Sequence, residues 1–102
     1  MKEGNFMARP LIINYSPATV GINEHFIIQL DEEPFQNCLW EVTPPPNVQL
    51  INTNRSFRSS IDIRTWEFVI LTSGTHQLEF RYRKQCCNHR VMKSVVYTIT
   101  TM

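Results

Sequence analysis

Glycine is scarce in this chain: Gly4, Gly21 and Gly74 are its only three. A glycine-rich phosphate loop is therefore excluded. Cysteine is sparse and odd in number, with three residues and no framework spacing. That argues against a small secreted domain stapled by disulfides. Excess charge of one sign is missing too. A formal net charge of +1 provides no general basic surface to displace counterions, so no nucleic-acid partner is expected. No apolar run approaches the roughly 20 residues of a membrane-spanning helix, and no membrane partner is expected. Met1–Pro10 carries no apolar signal-peptide core. This favours a cytoplasmic protein, unless a leader has been removed. Helical periodicity is absent as well.

What is present is alternation. At 102 residues one domain is expected, from residue 10 to 102 after a flexible leader at 1–9. Leu11–Tyr15 reads as a first strand, broken by Ser16-Pro17 because proline lacks the ladder donor. Ala18–Gly21 is a short extended piece. In His25–Leu30, Phe26, Ile28 and Leu30 share a face, and Asp31-Glu32-Glu33-Pro34 is read as the stop. Cys38–Val42 follows with Trp40 inward, then a stiff Pro44-Pro45-Pro46 connection. Val48–Asn52 is a short strand, and Thr53–Ser60 a polar stretch carrying Phe57, either tucked onto the core or offered to a partner. Ile61–Tyr82 reads as two strands forming a hairpin at Ser73-Gly74-Thr75. Trp66, Phe68 and Ile70 line one face of the first, and Leu78, Phe80 and Tyr82 one face of the second. Lys84–Arg90 is a polar loop, and Val91–Met102 closes with Val95, Tyr97 and Ile99 aligned. Short strands at short intervals imply an all-β sandwich or barrel.

The chemistry-bearing residues do not assemble into a catalytic pattern. Cys38, Cys86 and Cys87 are the candidate nucleophiles, and His25, His76 and His89 the candidate bases. None has triad-like spacing, so no catalytic residue is expected. Cys86-Cys87-Asn88-His89 offers at most three metal ligands without a second pair, where a structural zinc site wants four. Ordinary loop thiols are the favoured reading, and no metal or cofactor is expected. A bridge from Cys38 to Cys86 or Cys87 stays open for an oxidising compartment. Asp31, Glu32 and Glu33 read as a solvated acidic turn. Arg81, Arg83 and Lys84, with Arg90 and Lys93 nearby, read as a solvated strand face and a basic loop.

Ser73-Gly74-Thr75-His76-Gln77-Leu78-Glu79-Phe80-Arg81-Tyr82 resembles the Ala-Gly-Thr-His hairpin of the chagasin family of cysteine-peptidase inhibitors. Gly21 through Leu30 is similar to that family's Gly-Glu-x-x-x-Ile-x-Leu strand. Glu33-Pro34-Phe35-Gln36-Asn37 occupies the place of its Asn-Pro-Thr-Thr-Gly loop, and Trp40 falls at the following Trp. The resemblance covers roughly Leu11 to Met102. It implies an immunoglobulin-like antiparallel β-sandwich whose three loops at one end wedge into a papain-like active-site cleft.

Carried over position by position, the resemblance makes Pro34, Phe35, Gln36 and Asn37 the central peptidase-binding loop. Of that motif only Pro34 is kept, and Asn37 stands at the glycine, where asparagine tolerates left-handed geometry better than most residues. Ser59, Ser60, Ile61 and Asp62 stand at a Gly-x-Gly-Gly loop without its glycines. Lys84, Gln85 and Cys86 stand at an Arg-Pro-Trp loop that keeps only the positive charge. The expected function is reversible inhibition of a papain-like cysteine peptidase by a non-enzymatic monomer. The alternative is a non-inhibitory immunoglobulin-like binding module on the same scaffold, since one fold hosts many functions.

Overall fold

Alternating side chains give a strand one face for a core, and the described residues form eight strands. The structure, a computed structural model, describes residues 10–32, 37–58, 61–86 and 88–102. The leader expected at 1–9 lies outside them. In chain order the strands are β1 (Leu11–Ile13), β2 (Ala18–Val20), β3 (Phe26–Glu32), β4 (Cys38–Val42), β5 (Val48–Arg58), β6 (Ile61–Ile70), β7 (Gly74–Lys84) and β8 (Val91–Thr101). One sheet runs β1-β3-β6-β5 and the other β2-β8-β7-β4. The chain leaves the first sheet after β1, passes Ser16-Pro17 in the cis form, and enters the second as β2, parallel to β8. β1 is parallel to β3, and the remaining pairs are antiparallel.

The two strands read as a hairpin at Ser73-Gly74-Thr75 do not pair with each other. β6 lies between β3 and β5, while β7 lies between β4 and β8. Their apolar faces meet across the sandwich instead: Trp66 and Phe80 rings are 4.8 Å apart, and Phe68 and Phe80 6.2 Å. The connection is an arch between sheets. Gly74 adopts φ +127° there, a region open to glycine. The buried Thr101 hydroxyl donates to Thr72 O, and Leu71 N donates to Asn47 O at 3.1 Å. Alternation identifies an inward face but not the strand's neighbour, and both faces here were wide enough to need the opposite sheet.

The core is a stack of rows. Across β3, β6 and β5 the registered rows read Phe26–Phe68–Leu50, Ile28–Trp66–Thr53, Leu30–Arg64–Arg55 and finally Glu32–Asp62–Phe57, with the β5 member of each exposed at the sheet edge. The facing rows of the other sheet include Leu78–Tyr97, Val42–Phe80–Val95 and Trp40–Tyr82–Lys93. Phe26, Ile28, Phe68, Leu78, Phe80 and Ile99 are fully buried. The ring contacts Phe26–Phe68, Phe80–Tyr97 and Trp40–Tyr82, at 5.7, 5.7 and 4.7 Å, add to the burial term. The rows therefore change from apolar at one pole to ionic at the other.

Two segment boundaries differ from expectation. β5 is one strand of 11 residues, where a short strand and a polar stretch were expected. Its register shifts between Leu50 and Asn52, and this bulge hides the continuity from a period-two reading. β3 runs on through Asp31 and Glu32, so the charges do not stop it.

Candidate functional site

Antiparallel topology brings three connections to the ionic pole: β3–β4 (33–37), β5–β6 (59–60) and β7–β8 (85–90). Their stems are cross-linked. Glu32 of β3 is in register with Asp62 of β6, and Arg58 with Ile61 closes the β5–β6 turn. Asn37 adopts φ +52°, and its carbonyl accepts from Gln85 N at 2.9 Å. That bond joins the β3–β4 connection to the β7–β8 connection. Within the latter, Lys84 N donates to Arg90 O at 2.9 Å and His89 N to Cys86 O at 3.3 Å. His89 is left-handed at φ +51°. Arg83 braces the same loop through His89 O at 2.8 Å and Glu41 Oε1 at 2.9 Å.

Beneath the tips lies the Glu32 carboxylate. It was expected in a solvated acidic turn; it is buried, because it continues the inward phase of Phe26, Ile28 and Leu30. Glu32 Oε2 accepts from Trp40 N at 2.9 Å, and Arg64 Nη2 stands 3.5 Å from it. Arg55 Nη2 stands 2.8 Å from Oε1, and Arg55 Nε 3.7 Å from Asp62 Oδ2. Glu32 Oε1 and Arg64 Nε have no hydrogen-bond partner among the described residues. The Arg55 contact is thus an ion pair at hydrogen-bond distance without hydrogen-bond alignment. Trp40 Nε1 donates to Asp31 O at 2.7 Å. One carboxylate consequently ties together both stems of the β3–β4 connection and both strands of the β5–β6 hairpin. A pocket of about 170 Å³ opens between them, lined by residues that include Glu32, Asn37, Cys38, Arg55, Asp62 and Gln85.

Of the residues carried over from the resemblance, Asn37, Asp62 and Gln85 meet at this pocket. Ile61, 38% exposed, begins β6, Lys84 ends β7, and Cys86 is half-buried. Asp62 points inward to Arg55. Pro34, Phe35, Gln36, Ser59 and Ser60 lie outside the described residues, as does Cys87. Phe57, with two readings open, is 71% exposed and stands at the end of the Glu32–Asp62 row. Missed by the sequence reading were Arg55 and Arg64. Their signal was their register opposite an inward glutamate, visible only once β5 and β6 are paired.

Of the catalytic candidates, His76 and Cys38 lie far apart. His76 lies in the row with Ile99 and Cys38 in the row with Lys84. Eight residues of strand separate them, about 27 Å at roughly 3.4 Å per residue. His76 Nε2 has Thr101 Oγ1 at 3.4 Å, and His25 Nδ1 is 2.6 Å from Glu67 Oε2. Among the described residues no three His, Cys, Asp or Glu side chains are grouped to hold a metal ion.

The two hydrogen-bonded orders, with the first strand divided between sheets, define an immunoglobulin-like β-sandwich with three loops at one pole. No family model matches the chain, and no curated protein does. Among solved structures the fold is similar to that of the cysteine protease inhibitor EhICP2 from Entamoeba histolytica. That likeness has a TM-score of 0.74 at 18% identity, covering 85% of this chain and 86% of that one. It is also similar to the solution structure of Amebosin, with a TM-score of 0.59 at 12% identity over 92% and 97% of the two chains. The fold implied by the chagasin-family resemblance is thus the fold the chain has.

Proposed function

We propose that this chain is a reversible inhibitor of papain-like cysteine peptidases, acting as a monomer and without chemistry of its own. The central 33–37 connection would cover the peptidase nucleophile, with 59–62 and 84–86 bracing the cleft walls. The observation that carries this reading is convergence. Glu32, Asn37, Asp62 and Gln85 bring the stems of all three connections around one pocket, on a sandwich like that of a known cysteine protease inhibitor. Stems already held by cross-sheet bonds would lose little conformational entropy on docking.

The test is titration of the full chain against papain and a lysosomal-type cathepsin, with a 34–37 deletion as control. The reading predicts reversible, active-site-directed inhibition that the deletion removes. Inhibition that survives the deletion would refute the central role of that loop. Absence of inhibition in both peptidases would favour the non-inhibitory binding module.

A further inference from the structure

The ion pairs at the loop pole are unevenly distributed. Glu32 and Asp62 are committed to Arg55 and Arg64, and Glu41 to Arg83. Asp31, one residue from the inward Glu32, sits on the opposite face of its sheet. Lys84, Arg90 and Lys93 remain, all on or beside the β7–β8 connection, and no carboxylate of the described residues stands within ion-pair reach of them. Lys93 is held in place without being neutralised: its ammonium lies 5.0 Å from the Tyr82 ring centroid and 5.7 Å from that of Trp40. A cation over aromatic faces is attracted by the ring quadrupole without an anion cancelling its charge. Lys84 lies on the same face of the same sheet, one row nearer the tip.

We infer that the β7–β8 side of the loop pole is a preorganised cationic docking surface for an acidic protein wall. On the proposed function, on which this rests, that wall flanks the peptidase cleft and makes acidic-rimmed peptidases the preferred targets. Fixed charges of one sign on a protruding pole steer encounter and set partner choice more than they set final affinity.

The test uses the full chain and the double variant Lys84→Glu with Arg90→Glu. Lys93 is left in place there because it also packs on the rings. In the first arm, NMR amide shifts are followed on adding a short oligoglutamate peptide at low salt. The expected shifts are confined to 84–93, vanish near 1 M salt where the Debye length is about 3 Å, and are absent in the variant. No shifts, shifts scattered over the molecule, or tighter binding of a single-stranded oligonucleotide would overturn the inference. In the second arm, association with a peptidase that the wild-type chain inhibits should slow about tenfold in the variant at low salt, with an unchanged unfolding midpoint. An unchanged rate and salt slope there sinks the cationic surface while leaving the inhibitor reading intact. Localised oligoglutamate shifts without inhibition of any peptidase would support the surface and remove the inhibitor reading.

Discussion

Replacing Glu32 by glutamine tests whether one buried carboxylate holds the loop pole together. The substitution keeps the shape and lets an amide oxygen still accept from Trp40 N, which lies 2.9 Å away. It removes the charge facing Arg55 at 2.8 Å and Arg64 at 3.5 Å. Removing one partner of a buried ion pair costs about 3–5 kcal/mol, because the other charge is left in low dielectric. Here the two arginines differ. Arg55 is 42% exposed and can turn to water, so its share is reduced. Arg64 is 19% exposed and stays largely desolvated. A loss of about 2–3 kcal/mol follows. At about 4–8 °C per kcal/mol for a domain of this size, the midpoint should fall by roughly 10–20 °C. Thermal unfolding by circular dichroism measures this, and urea unfolding with an unchanged m-value confirms that stability alone has changed. Pairing it with Arg55→Gln in a double-mutant cycle should return a coupling of about 0.5–3 kcal/mol. A loss below about 0.5 kcal/mol, the level of an ordinary surface substitution, would refute the buried network.

Three further outcomes follow from other parts of the molecule. Asn37 at φ +52° should accept glycine with little change, whereas Asn37→Ala should cost on the order of 1 kcal/mol in denaturant unfolding; equal stabilities would mean the left-handed turn is not formed. Phe80 is fully buried and touches Trp66, Phe68 and Tyr97, so Phe80→Ala should lose about 3–5 kcal/mol, and a loss below 1 would contradict the cross-sheet core. Burial raises the Tyr97 pKa above its ordinary 10.0. Its neutral phenol therefore contributes stability that is fully present below pH 10 and lost as pH climbs through the raised folded value. Unfolding titrations should show this alkaline loss diminished in Tyr97→Phe.

Face-level information was legible in the sequence because period two is a property of a single strand. Phe26 and Ile28, Trp66, Phe68 and Ile70, and Leu78, Phe80 and Tyr82 were all assigned inward, and all are buried. Strand partnership is a property of two strands, which is why β6 and β7 read as a hairpin when they are the facing centres of separate sheets. Charge misled in a consistent way. Glu32 looked like a terminator, since an unpaired buried carboxylate is prohibitive; its partners Arg55 and Arg64 are 23 and 32 positions downstream, where nothing local marks them. β5 was shortened because its polar run and bulge suppress alternation. The site was partly legible through Asn37, whose tolerance for left-handed geometry was read from its residue type. That Asp62 faces inward became visible only through its register with Glu32.

The central claim is that three connections at one pole act as a single docking surface. Hydrogen–deuterium exchange of the chain with and without papain whose active-site cysteine is blocked addresses it most directly. Protection is predicted at Asn37, Ile61 and Gln85 together, with the Ser73–Thr75 arch at the far pole unchanged. Protection centred on that arch, or on one connection without the other two, would contradict the claim.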